Sequence, residues 1–307
     1  MDAQTVLPIP VDTVTSDPNA LTPVELHDGM YYKREDLFRL PNGCNGSKLR
    51  ACFHLVRKAQ AEGAMEVVSA ASVLSPQSAM GASVARQLAM SSVTIVGGTT
   101  PDMAVRHKSI KMASDEGSEI RAIPVGYNPA LQSAAARFVR ENPGSWRLPY
   151  GITTDPAASL EDIRDFVNVG APQVANLPDQ IETLVLPFGS GNTAAGVLYG
   201  LMNVHLPIGL KRVALMTIGP DRYNWLVNRL EFLGSPMSSL QEAVEIHRYP
   251  LHPTFATYGD RMPETLDGIV MHPTYEGKCV RYLSHSAPSW WTARDGKTLF
   301  WIVGGEL

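Results

Sequence analysis

Cysteine is scarce in this chain of 307 residues: Cys44, Cys52 and Cys279 form no CxxC pair and cannot all pair with one another. That excludes a disulfide scaffold and points to a reducing cytoplasm. Histidine is present, with His247, His252, His272 and His285 in the last third, but in neither the i, i+4 pairing nor the acidic context of a zinc site. No metal is expected. No run approaches the ~18 apolar residues that span a bilayer, and the N-terminus lacks a basic region followed by an apolar one. Membrane insertion and secretion are therefore not expected. An excess of positive charge is missing too: the net charge is −4, with acids and bases interspersed. Average composition advertises no nucleic-acid partner, although a basic cleft can hide within an average. There is no internal repeat or low-complexity tract.

What is present is a core-forming chain. A hydrophobic content of 44% in 307 residues buries a sizeable core and fits one or two domains. Strand and helix signals alternate, as a parallel sheet requires. Helix 48 to 62 precedes strand 65 to 71, helix 78 to 90 strand 92 to 97, and helix 101 to 117 strand 119 to 124, before helix 128 to 142. After Pro143-Gly144 come helix 159 to 176, strand 182 to 187, a glycine loop with its helix, strand 211 to 216 and helix 221 to 233. The expected fold is α/β, two doubly wound sheets with a ligand at the strand C-termini between them. The expected domains are 1 to 45 plus 151 to 307, and an inserted 46 to 150. Residues 1 to 30, rich in proline and threonine, are expected to wrap the surface or a partner subunit. Trp290, Trp291 and Trp301 read as core or interface residues more readily than as stacking platforms for a substrate.

One lysine stands out. In Lys33-Arg-Glu-Asp36 through Asn42-Gly43-Cys44-Asn45-Gly46-Ser47-Lys48, the Asn-Gly pairs favour positive φ, and Ser47 can cap a helix continued by Leu49, Phe53, Leu55 and Val56. Lys48 then sits in the first helical turn. The positive end of the helix dipole and partial burial both favour its neutral amine, the form that attacks carbonyls. A plain surface lysine is the alternative. Cys44, four residues away, reads as a small buried thiol.

Two further segments carry chemistry. The apolar Leu184 to Phe188 runs into Gly189-Ser190-Gly191-Asn192-Thr193 and a small-residue helix, a strand, glycine loop and helix N-terminus that can cradle a phosphate. It matches neither a P-loop nor a dinucleotide fingerprint, and a tight connection is the bland alternative. His272-Pro-Thr-Tyr275-Glu276-Gly277-Lys278 follows the apolar Gly268 to Met271 and opens a short helix with Glu276 in its first turn.

Taken together, Lys-Arg-Glu-Asp, the lysine after its glycine-asparagine turn, Gly-Ser-Gly-Asn-Thr, Pro-Thr-Tyr-Glu-Gly-Lys and the closing Leu-Phe-Trp-Ile-Val-Gly-Gly resemble the fold-type-II pyridoxal-phosphate enzymes. The nearest branch is that of 1-aminocyclopropane-1-carboxylate deaminase and D-cysteine desulfhydrase. The motifs occur in that family's order from about Tyr32 to Gly305. The resemblance implies pyridoxal 5'-phosphate as cofactor, held by Lys48 as a Schiff base and by Gly189, Ser190, Gly191, Asn192 and Thr193 at its phosphate. Glu276 would face the pyridine nitrogen and keep the ring protonated, strengthening it as an electron sink. Glutamate there is the deaminase pattern, and threonine the desulfhydrase one. Tyr275 would act on the substrate side as acid, base or nucleophile. A homodimer is also implied.

One departure is plain. Where the family carries Ser-Asn-His before its small-domain helix, this chain has Ser75-Pro76-Gln77-Ser78. Ser75, Gln77 and Ser78 are the candidate substrate contacts, while Pro76 offers no side-chain hydrogen bond. The same four residues also make a sound helix start. The segment Tyr249 to Thr265 reads as shorter than the family's helix, which could open the site to a larger substrate. The expected function is a lyase or deaminase acting at the Cα of an amino acid through Lys48. One alternative is decarboxylation of an amino acid attached to a larger carrier, such as a hypermodified nucleobase in phage DNA. The other is a catalytically silent binder of the cofactor.

Overall fold

The structure is a computed structural model and describes residues 15–155, 157–251 and 260–304. The first half of the proline- and threonine-rich N-terminal stretch, His252 and the centre of the segment read as shortened lie outside the described residues. The chain divides into two compact units. Unit one holds the residues up to Arg39, Asn45–Ser47 and Ser159 onward; unit two holds Leu40–Cys44 and Lys48–Ala158.

Unit one begins with a hairpin, β1 (Val24–His27) against β2 (Met30–Arg34), antiparallel across Asp28-Gly29. Both turn residues have positive φ, the geometry that matches strand twist and that an Asp-Gly pair adopts most readily. The chain then enters α1 (Ser47–Ala61) and unit two: β3 (Glu66–Ala70), α2 (Gln77–Gln87), β4 (Ser91–Gly97), α3 (Pro101–Ala104), α4 (Lys108–Asp115), β5 (Glu119–Ile123), α5 (Asn128–Glu141) and β6 (Ser145–Arg147). These strands form an all-parallel sheet in the order β5-β4-β3-β6. Alternation along β4 covers both faces. Val93 and Ile95 pack with Leu131, Ala135 and Phe138 of α5, while Val96 packs with Ala104 and Ile110. Unit two is therefore doubly wound.

The chain returns to unit one through α6 (Leu160–Asn168), β7 (Thr183–Phe188), α7 (Asn192–Asn203), β8 (Arg212–Thr217), α8 (Tyr223–Phe232), α9 (Met237–Gln241) and β9 (Glu245–Pro250). It closes with the hairpin β10 (Glu264–Leu266) and β11 (Ile269–Met271), α10 (Glu276–Ser286), α11 (Ser289–Thr292) and β12 (Thr298–Ile302). The main sheet runs β1-β2-β12-β7-β8-β9, parallel except for the first pair. Every residue of β7 is buried, as in a strand covered on both faces. The α/β class expected from the sequence is the one observed.

Two expected helices are broken. The run 101 to 117 splits at residues 105–107. In one unbroken helix Ala104 and Ile110, six residues apart, would point about 120° apart; the break lets both pack on Val96. The run 159 to 176 ends at Asn168 and resumes as a 3-10 turn at Ala171–Val174. Pro172 cannot donate to an i−4 carbonyl, and Gly170 comes within van der Waals reach of Gly196 in α7. Ser47 is a first helical residue rather than a cap: its hydroxyl bonds Thr193 and Val303 instead. Trp291 and Trp301 are core, so Trp291 cannot stack on a substrate.

Candidate active site

The Lys33 to Asp36 motif proves to be a buried scaffold in unit one. Lys33 Nζ donates to Thr22 O (2.8 Å) and Asn176 Oδ1 (2.7 Å), Thr22 Oγ1 donates to Glu35, and Arg34 pairs with Asp36 at 2.8 Å. Buried charges persist only when paired this way. The scaffold carries β2, which lies beside β12, and β12 ends at Val303-Gly304.

Those two residues position Glu276. Its side chain is fully buried at the first residue of α10, and Oε1 accepts from Val303 N (2.6 Å) and Gly304 N (3.1 Å). Oε2 is buried with no hydrogen-bond partner. Burial pushes the carboxyl up to about 8, against the pull of the backbone N–H donors and with a push from the Asp36 charge. Near neutrality the carboxyl therefore keeps its proton, held on an oxygen that faces no acceptor. A basic ring nitrogen fits that need: it takes the proton, and the carboxylate left behind is steadied by the two N–H groups. The residues present thus fit the pyridine ring of pyridoxal phosphate.

The glycine loop follows β7 directly. Gly191 has φ +92 and caps α7, and a side chain there would strike the Trp225 ring at 2.7 Å. Only glycine fits both demands. Thr193 Oγ1 lies 2.9 Å from Ser47 Oγ, which donates to Val303 O. With an anion at the loop, the Thr193 hydroxyl can turn to donate a hydrogen bond to it while accepting one from Ser47. Tyr275 lies against the loop, its ring 3.2 Å from the place a side chain on Gly189 would occupy, and tilts on His272 at 5.0 Å between ring centroids. Unit one thus brings Gly189, Gly191, Thr193, Tyr275 and Glu276 into one neighbourhood. Ser190 is exposed at the loop tip, and Asn192 opens α7.

Lys48 is the second residue of α1 and directly follows Ser47, the Thr193 partner. Gly43 and Gly46 in the turn before it both have positive φ, and the close approach of Val303 O leaves no room for a side chain on Gly46.

Unit two holds the remaining candidates. Gln77 opens α2, 2% exposed, and its Oε1 accepts from Gly151 N at 2.8 Å. That bond fixes which end of the amide is which, so Nε2 is presented as a donor, and it is buried without a partner. Ser78 Oγ is likewise buried and unpartnered. Ser75 is tied into local structure: its hydroxyl receives the Gln77 N–H (3.3 Å) and its carbonyl the Ser109 hydroxyl (2.5 Å).

The sequence reading missed Ser47, Trp225, His272, Gly151 and the Val303-Gly304 amides as site-shaping groups. Ser47, read as a helix cap, His272, the first residue of a motif, and the closing Val-Gly-Gly held a signal; Trp225 and Gly151 held none. Cys44, Cys52 and Cys279 are free and buried, and burial pushes the Cys44 thiol up to about 11. They are inert. Among the described residues no cluster of His, Cys, Asp or Glu could hold a metal, and no helix is long and apolar enough to cross a membrane.

No family model matches the chain. Among curated proteins it is 31% identical to the O-seryl-dTMP PLP-dependent decarboxylase of Salmonella phage ViI, over 92% of this chain and 79% of the relative. It is 27% identical to a putative 1-aminocyclopropane-1-carboxylate deaminase of Pyrococcus abyssi, over 83% and 78%. It is 25% identical to the 1-aminocyclopropane-1-carboxylate deaminase of Burkholderia ambifaria, over 90% and 86%. Among solved structures, an ACC deaminase homologue matches with a TM-score of 0.69 at 22% identity, covering 95% of this chain and 91% of the other. A threonine deaminase isoform of Solanum lycopersicum matches at 0.59 and 15% identity, covering 93% and 84%. At such identities these two likenesses concern the fold alone.

Proposed function

The chain belongs to the fold-type-II pyridoxal-phosphate-dependent enzymes that work at the Cα of an amino acid, and on that premise we propose that it decarboxylates a serine joined through its side-chain oxygen to thymidylate. The single observation that carries the cofactor assignment is the buried, unpartnered Oε2 of Glu276. Decarboxylation is preferred because the relative named for it is 31% identical over 92% of the chain, against 25 to 27% for the deaminases.

Pyridoxal phosphate, when bound, supplies an electron sink for the pair left on Cα as the carboxylate departs as carbon dioxide. The chain's own residues do the rest. Lys48 would hold the cofactor and would move a proton at the substrate Cα. Gly189 to Thr193 bind the cofactor phosphate with backbone N–H groups and the Thr193 hydroxyl. Glu276 would hold a proton at the ring nitrogen. Gln77 Nε2 and the Ser78 hydroxyl donate to substrate or cofactor oxygens, with Ser75 beside them, and Tyr275 stands as a second acid or base. Pro76 removes one polar side chain from this loop, which supports loss of a carboxylate grip and hence decarboxylation.

The retained Tyr275 and Glu276 favour a second reading, deamination of a free amino acid, as in the deaminase relatives. A homodimer in the cytoplasm is part of the proposal and is checked by light scattering and fractionation. The test incubates loaded enzyme with O-seryl thymidylate and with 1-aminocyclopropane-1-carboxylate. Carbon dioxide from the first without ammonia from the second supports decarboxylation; the reverse replaces it with deamination.

A further inference from the structure

The loops that leave β3, β5 and β6 at the C-terminal edge of the unit-two sheet each carry an exposed large side chain, and the helix after β4 carries another. Leu74 after β3 is 76% exposed, Tyr127 after β5 63% and Tyr150 after β6 50%. Met103 follows β4, and Val125 stands beside Tyr127, both exposed. Exposed tyrosines at loop tips offer rigid faces on which bases stack.

Hydrogen bonds and close approaches make these loops one surface. Gly98 N donates to Ile123 O at 3.0 Å, and Gly97 and Gly126 meet backbone to backbone, so the loops after β4 and β5 touch. Gln132 Nε2 of α5 donates to Ala70 O at the end of β3 (2.9 Å). The Ser109 hydroxyl fastens the start of α4 to the loop after β3 through Ser75 O. Gly151 N fastens the loop after β6 to Gln77. The buried, unpartnered Gln77 Nε2 and Ser78 Oγ thus lie at the start of α2, where these loops meet.

Charge joins the aromatics. Arg106, in the turn between α3 and α4, and Lys108, the first residue of α4, flank His107; both are exposed, and among the described residues neither has an ion-pair partner. They stand next to Ser109, hence next to the Ser75 loop. Asp102 and Asp155 are exposed acids of the same edge, so the edge has no net positive charge and only the turn at Arg106 and Lys108 is positive. Unpaired cations beside stacking faces complement a chain of phosphates and bases.

We propose that this edge of unit two is where a DNA strand docks, with Tyr127 and Tyr150 stacking on bases and Arg106 and Lys108 meeting phosphates, so that the amino acid borne by a thymine base reaches Gln77 and Ser78. The assignment rests on the carrier-linked decarboxylation above.

The test uses the full-length, cofactor-loaded enzyme with two substrates, O-seryl thymidylate and the same unit inside a single-stranded oligonucleotide. R106E/K108E and Y127A/Y150A are each expected to raise the ratio of oligonucleotide KM to monomer KM about tenfold or more. Anisotropy of a labelled oligonucleotide is expected to show a shallower salt dependence for R106E/K108E, by about 0.7 in log-log slope for each phosphate the protein no longer neutralises. An unchanged cofactor absorbance confirms that the variants fold. A ratio equal to wild type, or a wild-type protein that does not bind the oligonucleotide, overturns the docking surface. If wild type turns over neither substrate, the decarboxylase reading fails, while the anisotropy still decides the surface.

Discussion

Among the buried polar atoms without a partner, unit one has Glu276 Oε2, on a carboxyl whose pKa burial has pushed up to about 8, besides Arg39 Nε and Trp301 Nε1; unit two has the Gln77 amide nitrogen and the Ser78 hydroxyl, besides Ser69 Oγ. The first holds a proton for a base. The second offers neutral donors to an oxygen that needs them. Each side chain is held by backbone N–H groups on the atom opposite its orphan: Val303 and Gly304 on Glu276 Oε1, Gly151 on the single amide oxygen of Gln77. An unsatisfied buried group is expensive, and one fixed so firmly is built for a ligand. Under the proposed function the two units would therefore meet different chemistry, a ring nitrogen at Glu276 and an oxygen at Gln77.

The sharpest way to break this contrast is Glu276→Gln. The amide keeps the bonds from Val303 and Gly304 and can donate to the ring nitrogen, but it has no proton to give up. Turnover is expected to fall about 100- to 1000-fold in kcat with the cofactor still bound, read by steady-state kinetics and visible absorbance. Gln77→Glu tests the other end. One oxygen still accepts from Gly151, and the other turns a donor into an anion. KM is expected to rise about ten- to a hundredfold with a smaller change in kcat.

How much of this was legible in the sequence differs between the two ends. The candidates Lys48, the glycine loop and Tyr275-Glu276 were readable because positive-φ turns and helix starts leave local signatures. What fixes them was not. Glu276 is held by amides 27 and 28 residues away, and Gln77 by an amide 74 residues away. Such pairings depend on strand order, which no local pattern states. The same limit hid β12, whose Leu-Phe-Trp-Ile was noticed as a motif, and β9, an edge strand with weak alternation. The breaks at residues 105–107 and at Gly170 escaped because they serve packing on Val96 and against Gly196. The β1–β2 hairpin was readable from Asp28-Gly29.

A smaller effect is expected from Gly191→Ala. The left-handed backbone costs about 1–2 kcal/mol with a side chain, and the new methyl group must displace Trp225. A lower melting temperature and weaker cofactor retention, read by thermal melts and dialysis, check it.

The smallest effect concerns pH in the cofactor-free protein. The Glu276 carboxyl sits at about 8 when folded against an ordinary 4.5, so the folded state binds the extra proton between those values. Its contribution to stability is full below about pH 4.5 and is lost as pH rises through 8. Thermal melts across that window are expected to fall with rising pH, and Glu276→Gln to flatten the trend.

The central claim is that Lys48 and Glu276 serve one pyridoxal phosphate. Its most direct test treats the loaded protein with borohydride and locates the added mass by peptide mass spectrometry, for the native chain and for Lys48→Ala. A visible band that disappears on reduction, with the mass on Lys48 and none on the variant, is the predicted result. Mass on another lysine, or no band in protein supplemented with pyridoxal phosphate, contradicts it.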